Sequence, residues 1–296
     1  MDGIFVPLVT PFDASGDVDA VALRGLAESV LDAGAAGLVA LGTTGEPATL
    51  SAAERALVVA EAAAACRPRG ARLVVGVGGS STAACVAEVA ALPAGVVAMV
   101  VVPPYTRPGE AGVLAHFRAV AAASPAPVVA YHVPYRTGQA MSLDALLELA
   151  AIPNVAGMKL ADGPLTGDTI ALLAAAPPGF AVLGGDDAVI SPLLALGAPG
   201  GILASAHVAT EAFVALREAW RAGDVATARR LGAGLAALSA ALFAEPNPAV
   251  IKAVLHAEGR IATPAVRLPL LPAGPDSLAS AQRLLAFVPG HAGLVS

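Results

Sequence analysis

The stretch "NVAGMKLADG", residues 154–163, carries one of the only two lysines in the chain, Lys159 and Lys252. Lys159 follows Val155, Ala156, Gly157 and Met158, which read as a buried strand. Burying an ammonium is costly unless it is paired or gives up its proton. An amine in an apolar pocket loses its proton more readily and can attack a ketone to form a Schiff base. The protonated imine is an electron sink, so an enamine can form at the neighbouring carbon. Making that imine moves protons on and off oxygen, work suited to a phenol beside a second hydroxyl. The chain has three tyrosines, Tyr105, Tyr131 and Tyr135, in the stretches "PPYTRP" and "YHVPYRTG". Thr43 and Thr44 in "GTTGE" supply hydroxyls, and the turn around Gly42 and Gly45 can offer backbone N–H groups to a carboxylate. Each residue has a plainer reading. Lys159 can reach the surface or pair with Asp162, Tyr131 can be a core aromatic, and Arg136 can hold its own loop by an ion pair.

The elements that must position these groups are eight short apolar runs. They are "IFVPLVTPF" (4–12), "GLVALG" (37–42), "RLVVGVG" (72–78), "VAMVVVPP" (97–104), "PVVAYHVP" (127–134), "VAGMKLA" (155–161), "FAVLGG" (180–185) and "GGILAS" (200–205). They are rich in Val, Leu and Ile without strict alternation, as strands covered on both faces are. Helical patterns such as "DAVALRGLAESVLDAG" and "SAAERALVVAEAAAAC" separate them. Ser51 with Glu54 forms a capping box signal, and Gly34 a helix stop. This α/β order predicts a closed (β/α)8 TIM barrel over residues 1–224, carrying the active site, and a C-terminal helical extension over 225–296. In such barrels the chemistry sits at the C-terminal ends of strands. The polar residues gather there: "GTTGE" after strand 2, Tyr105 after strand 4, Tyr131 and Arg136 after strand 5, Lys159 in strand 6 and "GGDD" after strand 7. Were strands 5 and 6 paired, the backbones at Tyr131 and Lys159 would lie about 4.8 Å apart.

Composition narrows the function. The chain is 56% hydrophobic and 14% charged, with a mean hydropathy of +0.73. Its apolar runs nevertheless stop short of the roughly 18 residues of a membrane span. No secretory leader is read at the start. Cys66 and Cys85 form no close motif and fit free thiols in a cytoplasmic protein. A formal charge of -6 and a pI near 5.3 argue against a nucleic-acid partner. "GVGGSS" lacks the Walker lysine and reads as a turn. The histidines, His116, His132, His207, His256 and His291, show no metal-ligand spacing, so no metal is expected. Asp186 and Asp187 read as caps of the following helix.

"GTTGE", "YHVPYRTG" and "GMK", in this order and spacing, resemble the dihydrodipicolinate synthase and N-acetylneuraminate lyase family of pyruvate-dependent class I aldolases. The likeness extends from "PLVTPF" to "NPAVIKAVL", most of the chain, and is closest to the synthases. It implies that Lys159 forms an imine with pyruvate, with no other cofactor, and that Tyr131 shuttles protons through Thr43 and Tyr105. It further implies that Thr44 and nearby backbone hold the pyruvate carboxylate, and that the strand-7 turn near Gly184 and Ile202 in strand 8 line the pocket. The residue matching Tyr105 reaches into a neighbouring subunit in that family, implying a homodimer or homotetramer. "YRTG" matches the synthase pattern, in which the arginine, here Arg136, holds L-aspartate 4-semialdehyde. The expected reaction is therefore condensation of pyruvate with that anionic aldehyde to 4-hydroxy-tetrahydrodipicolinate. A sister lyase or dehydratase acting on a 2-keto-3-deoxy sugar acid or other 2-oxo acid would share Lys159 and Tyr131. A non-catalytic barrel binding an oxo acid is the alternative of another class. Lys252 is expected to be exposed or paired on its helix. His132, where asparagine is common, and Leu160 and Asp162, in place of a polar pair, depart from the family pattern.

Overall fold

The computed structural model describes residues 1–288, so His291 lies outside the described residues. Eight strands, β1 (Gly3–Pro7), β2 (Gly37–Ala40), β3 (Arg72–Val77), β4 (Val97–Val101), β5 (Val128–His132), β6 (Val155–Leu160), β7 (Ala181–Gly184) and β8 (Gly200–Ile202), form a closed barrel in sequence order. The pairs β1–β2, β3–β4, β4–β5, β5–β6, β6–β7 and β7–β8 are parallel. The intervening helices are α1 (Ala20–Asp32), α2 (Ala52–Cys66), α3 (Thr82–Ala90), α4 (Gly109–Ala123), α5 (Pro134–Thr137), α6 (Leu143–Ala150), α7 (Gly167–Ala175), α8 (Ile190–Ala195) and α9 (Ala206–Arg221). The C-terminal helices α10 (Val225–Leu242), α11 (Ala249–Ala257) and α12 (Pro275–Leu285) follow. No helix among the described residues is long and apolar enough to cross a membrane.

Local signals account for the element ends. Ser51 Oγ accepts from the Glu54 N–H while a Glu54 carboxylate oxygen accepts from the Ser51 N–H at 2.7 Å. This capping box starts α2. Gly34, at φ +95°, follows α1 and donates its N–H to Leu31, in the conformation that favours glycine at a helix end.

The chain packs as two compact units. One comprises residues 1–2 and 74–201, the other residues 3–73 and the segment from Ile202 onward. In the first unit, Val100, Ala130, Met158, Leu160 and Val182 are buried in one cluster with Phe117 of α4, Leu149 of α6 and Leu172 of α7. These strand positions therefore face the helices. Because strand side chains alternate, Tyr131, Lys159 and Leu183 face the other way, into the barrel. In the second unit, α10 packs on α9 and α12, and α11 packs on α9 and α12.

Candidate active site

Within the first unit, β5 and β6 pair with Tyr131 opposite Lys159 and His132 opposite Leu160. The two inward side chains meet: Lys159 Nζ lies 4.3 Å from the centre of the Tyr131 ring. Both residues are buried, each 6% exposed. Lys159 forms no ion pair among the described residues, so the reading in which Asp162 neutralises it finds no contact here. A cation over an aromatic face is attracted by the ring quadrupole, and at this distance the ring also packs against the end of the lysine stem.

Two glycines let the surrounding strands close on this lysine. A methyl group built on Gly157, two residues before Lys159, would lie 2.6 Å from the Ala181 carbonyl oxygen of β7. One built on Gly185 would lie 2.8 Å from Lys159 Cγ and 2.9 Å from Cε. Gly184 is paired with Leu160 and Gly201, and a methyl there would strike Ile190 and Leu193. Gly184 thus faces the helix layer, and the strand-7 turn approaches the lysine at Gly185. In β8, Ile202 is fully buried and follows Gly201, hence faces oppositely to it.

Asp186 occupies the N-cap position of a single 3₁₀ turn but makes no capping bond with its side chain. Burial raises its pKa, while the Gly163 backbone and the Lys159 charge lower it. Burial is also the main reason that Asp162 titrates above its ordinary value, with Asp186 adding to it. A carboxyl group thus stands close enough to Lys159 to feel its charge, a neighbour that two adjacent aspartates in sequence gave little reason to expect.

After β5 the chain turns through α5. Arg136 Nε donates to the Tyr135 hydroxyl at 2.9 Å and its guanidinium lies 5.1 Å from that ring. Both side chains are exposed. Tyr105 is 92% exposed and sits at φ +70°, with Arg107 also left-handed at +46°. Its N–H donates to Thr137. Tyr105 does not lie beside Tyr131 as a buried hydroxyl; its side chain is exposed.

The second unit carries the "GTTGE" turn. Thr43–Gly45 forms one 3₁₀ turn, and Glu46 after it is left-handed at φ +53°. The Thr44 hydroxyl oxygen accepts from Asn247 Nδ2 at 3.0 Å, and Thr10 Oγ1 donates to the Gly45 carbonyl at 2.8 Å. Lys252, in α11, is wholly buried and donates to Glu46 at 2.8 Å. Its pairing was expected as one of two outcomes; its complete burial was not. Burial lowers the Lys252 pKa and Glu46 opposes that shift.

The remaining titratable groups have structural surroundings. His132 is held near pKa 4 by burial and faces the helices with Leu160. His207 is held near 3 by burial, and its Nε2 meets the Val9 N–H at 3.0 Å. Cys66 and Cys85 are buried and free, and burial raises the Cys66 thiol to about 11. Among the described residues no group of three His, Cys, Asp or Glu side chains gathers to hold a metal.

A lysine and a tyrosine on adjacent strands of a (β/α)8 barrel can be compared with known proteins. The 4-hydroxy-tetrahydrodipicolinate synthase of Moorella thermoacetica is 42% identical over 271 residues, 90% of this chain and 91% of that one. That of Neisseria meningitidis serogroup B is 38% identical over 274 residues, covering 92% and 93%. The crystal structure of the chloride-inhibited dihydrodipicolinate synthase from Acinetobacter baumannii, complexed with pyruvate, superposes with a TM-score of 0.91 at 35% identity, covering 96% of this chain and 97% of that one. The dihydrodipicolinate synthetase family model matches residues 1–287. With likeness at this level running through the whole described barrel and the helices behind it, the chain belongs to the dihydrodipicolinate synthetase family.

Proposed function

We propose that the protein is a Schiff-base lyase condensing pyruvate with L-aspartate 4-semialdehyde to 4-hydroxy-tetrahydrodipicolinate. The observation that carries this is the buried amine of Lys159 held 4.3 Å over the Tyr131 ring by strand register, in a chain of this family. The Lys159 nitrogen adds to the pyruvate ketone carbon, and the carbinolamine loses its hydroxyl as water to leave the imine. Loss of a methyl proton gives the enamine, whose carbon attacks the aldehyde. The second substrate's amine then displaces Lys159, closing the ring and freeing the enzyme. Tyr131 carries protons to and from the departing oxygen, with Thr43 and Tyr105 completing its relay. Thr44 and the neighbouring backbone N–H groups hold the pyruvate carboxylate. Ile202 and the strand-7 turn, at Gly185 rather than Gly184, form the wall. No cofactor enters these steps, since the imine supplies the electron sink.

The exposure of Tyr105 supports a second subunit: a hydroxyl that serves a relay must reach one, and this side chain is exposed in its own subunit. We therefore read the working unit as a homodimer or a homotetramer. A cytoplasmic location fits free thiols and a metabolic aldehyde as substrate.

The deciding experiment is steady-state turnover with pyruvate and the semialdehyde, against a panel of 2-keto-3-deoxy sugar acids assayed for pyruvate release. Turnover of a sugar acid without the semialdehyde would overturn the substrate assignment. Arg136, exposed beside Tyr135, is the residue to which this reading assigns the semialdehyde carboxylate. Arg136→Ala is expected to raise the KM for the semialdehyde by about 10- to 100-fold, the worth of a charge-assisted hydrogen bond, while pyruvate is still trapped on the enzyme. An unaltered KM assigns the arginine to its loop.

Gly185 gives a separate test. Its α-carbon faces the Lys159 stem so closely that Gly185→Ala must displace Cγ and Cε. A displacement of about 1 Å at a reacting group costs about 10²-fold. The rate of borohydride-trapped adduct formation with pyruvate is expected to fall by that order. An undiminished rate would mean that the lysine has room to move that the strands deny it.

A further inference from the structure

The chain's second lysine is buried as deeply as any side chain in the protein. Lys252 is 0% exposed, and its partner Glu46 has a side chain 1% exposed. Glu46 Oε1 accepts from Lys252 Nζ at 2.8 Å and Glu46 Oε2 from the Arg267 N–H at 2.9 Å. Lys252 Nζ and the Arg267 guanidinium both lie against the Phe12 ring, at 4.1 and 4.3 Å. Arg267 also forks onto Glu54 and bonds the Thr49 and Gly16 carbonyls. Taking an ammonium and a carboxylate out of water costs about as much as their attraction returns, so a buried pair is poor value as a stabiliser. It does fix geometry, because neither charge can leave the other.

What the pair fixes is the turn at the end of β2. Glu46 directly follows Thr43–Gly45 and holds a left-handed backbone that a non-glycine residue adopts reluctantly. Asn247 lies five residues before Lys252, entering the same helix, and donates its amide to the Thr44 oxygen. A threonine oxygen occupied by an incoming donor keeps its own O–H for an acceptor elsewhere. The segment that buries Lys252 thus also orients the Thr44 hydroxyl outward as a donor, and Thr10 pins Gly45 from the other side.

Resting on the reading that Thr44 and its turn hold the carboxylate of the keto acid, we propose that Glu46 and Lys252 are positioning residues for that carboxylate. The ion pair touches no substrate. It holds the turn in the shape in which the Thr44 O–H and the Thr44 N–H meet one anion, the Gly45 and Glu46 N–H groups being bonded to the Gly42 and Thr43 carbonyls within the turn. Affinity for the keto acid should therefore depend on the pair, whereas the chemical step at Lys159 should not.

The test replaces both charges at once, Glu46→Leu with Lys252→Met, so that no unpaired charge is left buried. The expected result is a KM for pyruvate raised about tenfold, equivalent to about 1.4 kcal/mol, with kcat within about threefold of the parent. Borohydride should still trap pyruvate on Lys159 at saturating concentration. Lys252→Arg, which keeps the charge, should recover part of the affinity. An unchanged KM, or a fall in kcat at constant KM, overturns the proposal. Should the double variant not fold, Glu46→Gln with Lys252→Met, which keeps an acceptor for the Arg267 N–H and again leaves no buried charge, carries the same expectation for KM and is overturned by the same result. Failure of both variants to fold assigns the pair to stability and also overturns it. If the parent protein itself traps no pyruvate, the reading of the site falls and takes this inference with it; if the parent traps and the variants bind pyruvate equally well, only this inference falls.

Discussion

Lys159→Ala is expected to abolish the borohydride-stable adduct with pyruvate and to lower turnover by about 10⁴-fold or more. Intact mass after reduction reads the first effect and peptide mapping locates it. The size of the loss follows from the absence of a substitute. The only other lysine, Lys252, is sealed in its ion pair with Glu46, so no second amine is available to form the imine. Alanine leaves a cavity beside the Tyr131 ring but no unpaired charge, because Lys159 has no carboxylate in ion-pair contact among the described residues. The variant should therefore fold as the parent does. A folded Lys159→Ala protein that still accumulated a reducible pyruvate adduct would remove the proposed chemistry altogether.

That lysine was legible in the sequence for a physical reason. A charged residue inside a Val- and Met-containing strand run stands out because buried strands admit so few, and barrel topology then dictates that its neighbour is the preceding strand. The order of eight apolar runs was sufficient to make β5 and β6 neighbours, since sequential strands in a (β/α)8 barrel are spatial neighbours; that Tyr131 falls opposite Lys159 depends on their register, which shifts between Val128 and Val129. The facing of the strand-7 turn was less accessible. "LGGDD" contains two glycines, and which of them meets the lysine depends on the alternation being carried from Val182, packed against the helices, through Gly184 to Gly185. A shift of one residue reverses the face, and glycine has no side chain to announce which face it is on. The Glu46–Lys252 pair lay further out of reach. Its members are 206 residues apart, and "NPAVIKAVL" has the pattern of a helix with a lysine on either a wet or a dry side. Only the packing of α11 settles which. Asn247 was hidden for the same reason, although it is the first residue of the "NP" that leads into this helix. The plainer readings of His132 and His207 suffice, because each is a buried neutral ring, which apolar surroundings favour.

Tyr131→Phe separates the two contributions that one residue makes. The ring keeps its place over the Lys159 nitrogen, so packing and the attraction for a cation persist; only the hydroxyl is lost. If that hydroxyl carries protons to the departing oxygen, removing it slows carbinolamine dehydration and imine hydrolysis alike. General acid–base groups contribute about 10²- to 10⁴-fold, and a loss of about 10³-fold in kcat is expected, with the KM for pyruvate changed far less because the carboxylate contacts remain. Tyr135 is the alternative donor on the same segment, but its side chain is exposed and pairs with that of Arg136, whereas Tyr131 is buried against the Lys159 nitrogen. Tyr135→Phe should accordingly leave the rate of adduct formation near that of the parent, while Tyr131→Phe traps pyruvate slowly but to completion. Equal trapping rates for Tyr131→Phe and the parent would reduce Tyr131 to a packing residue beneath the amine and transfer the proton relay to another group.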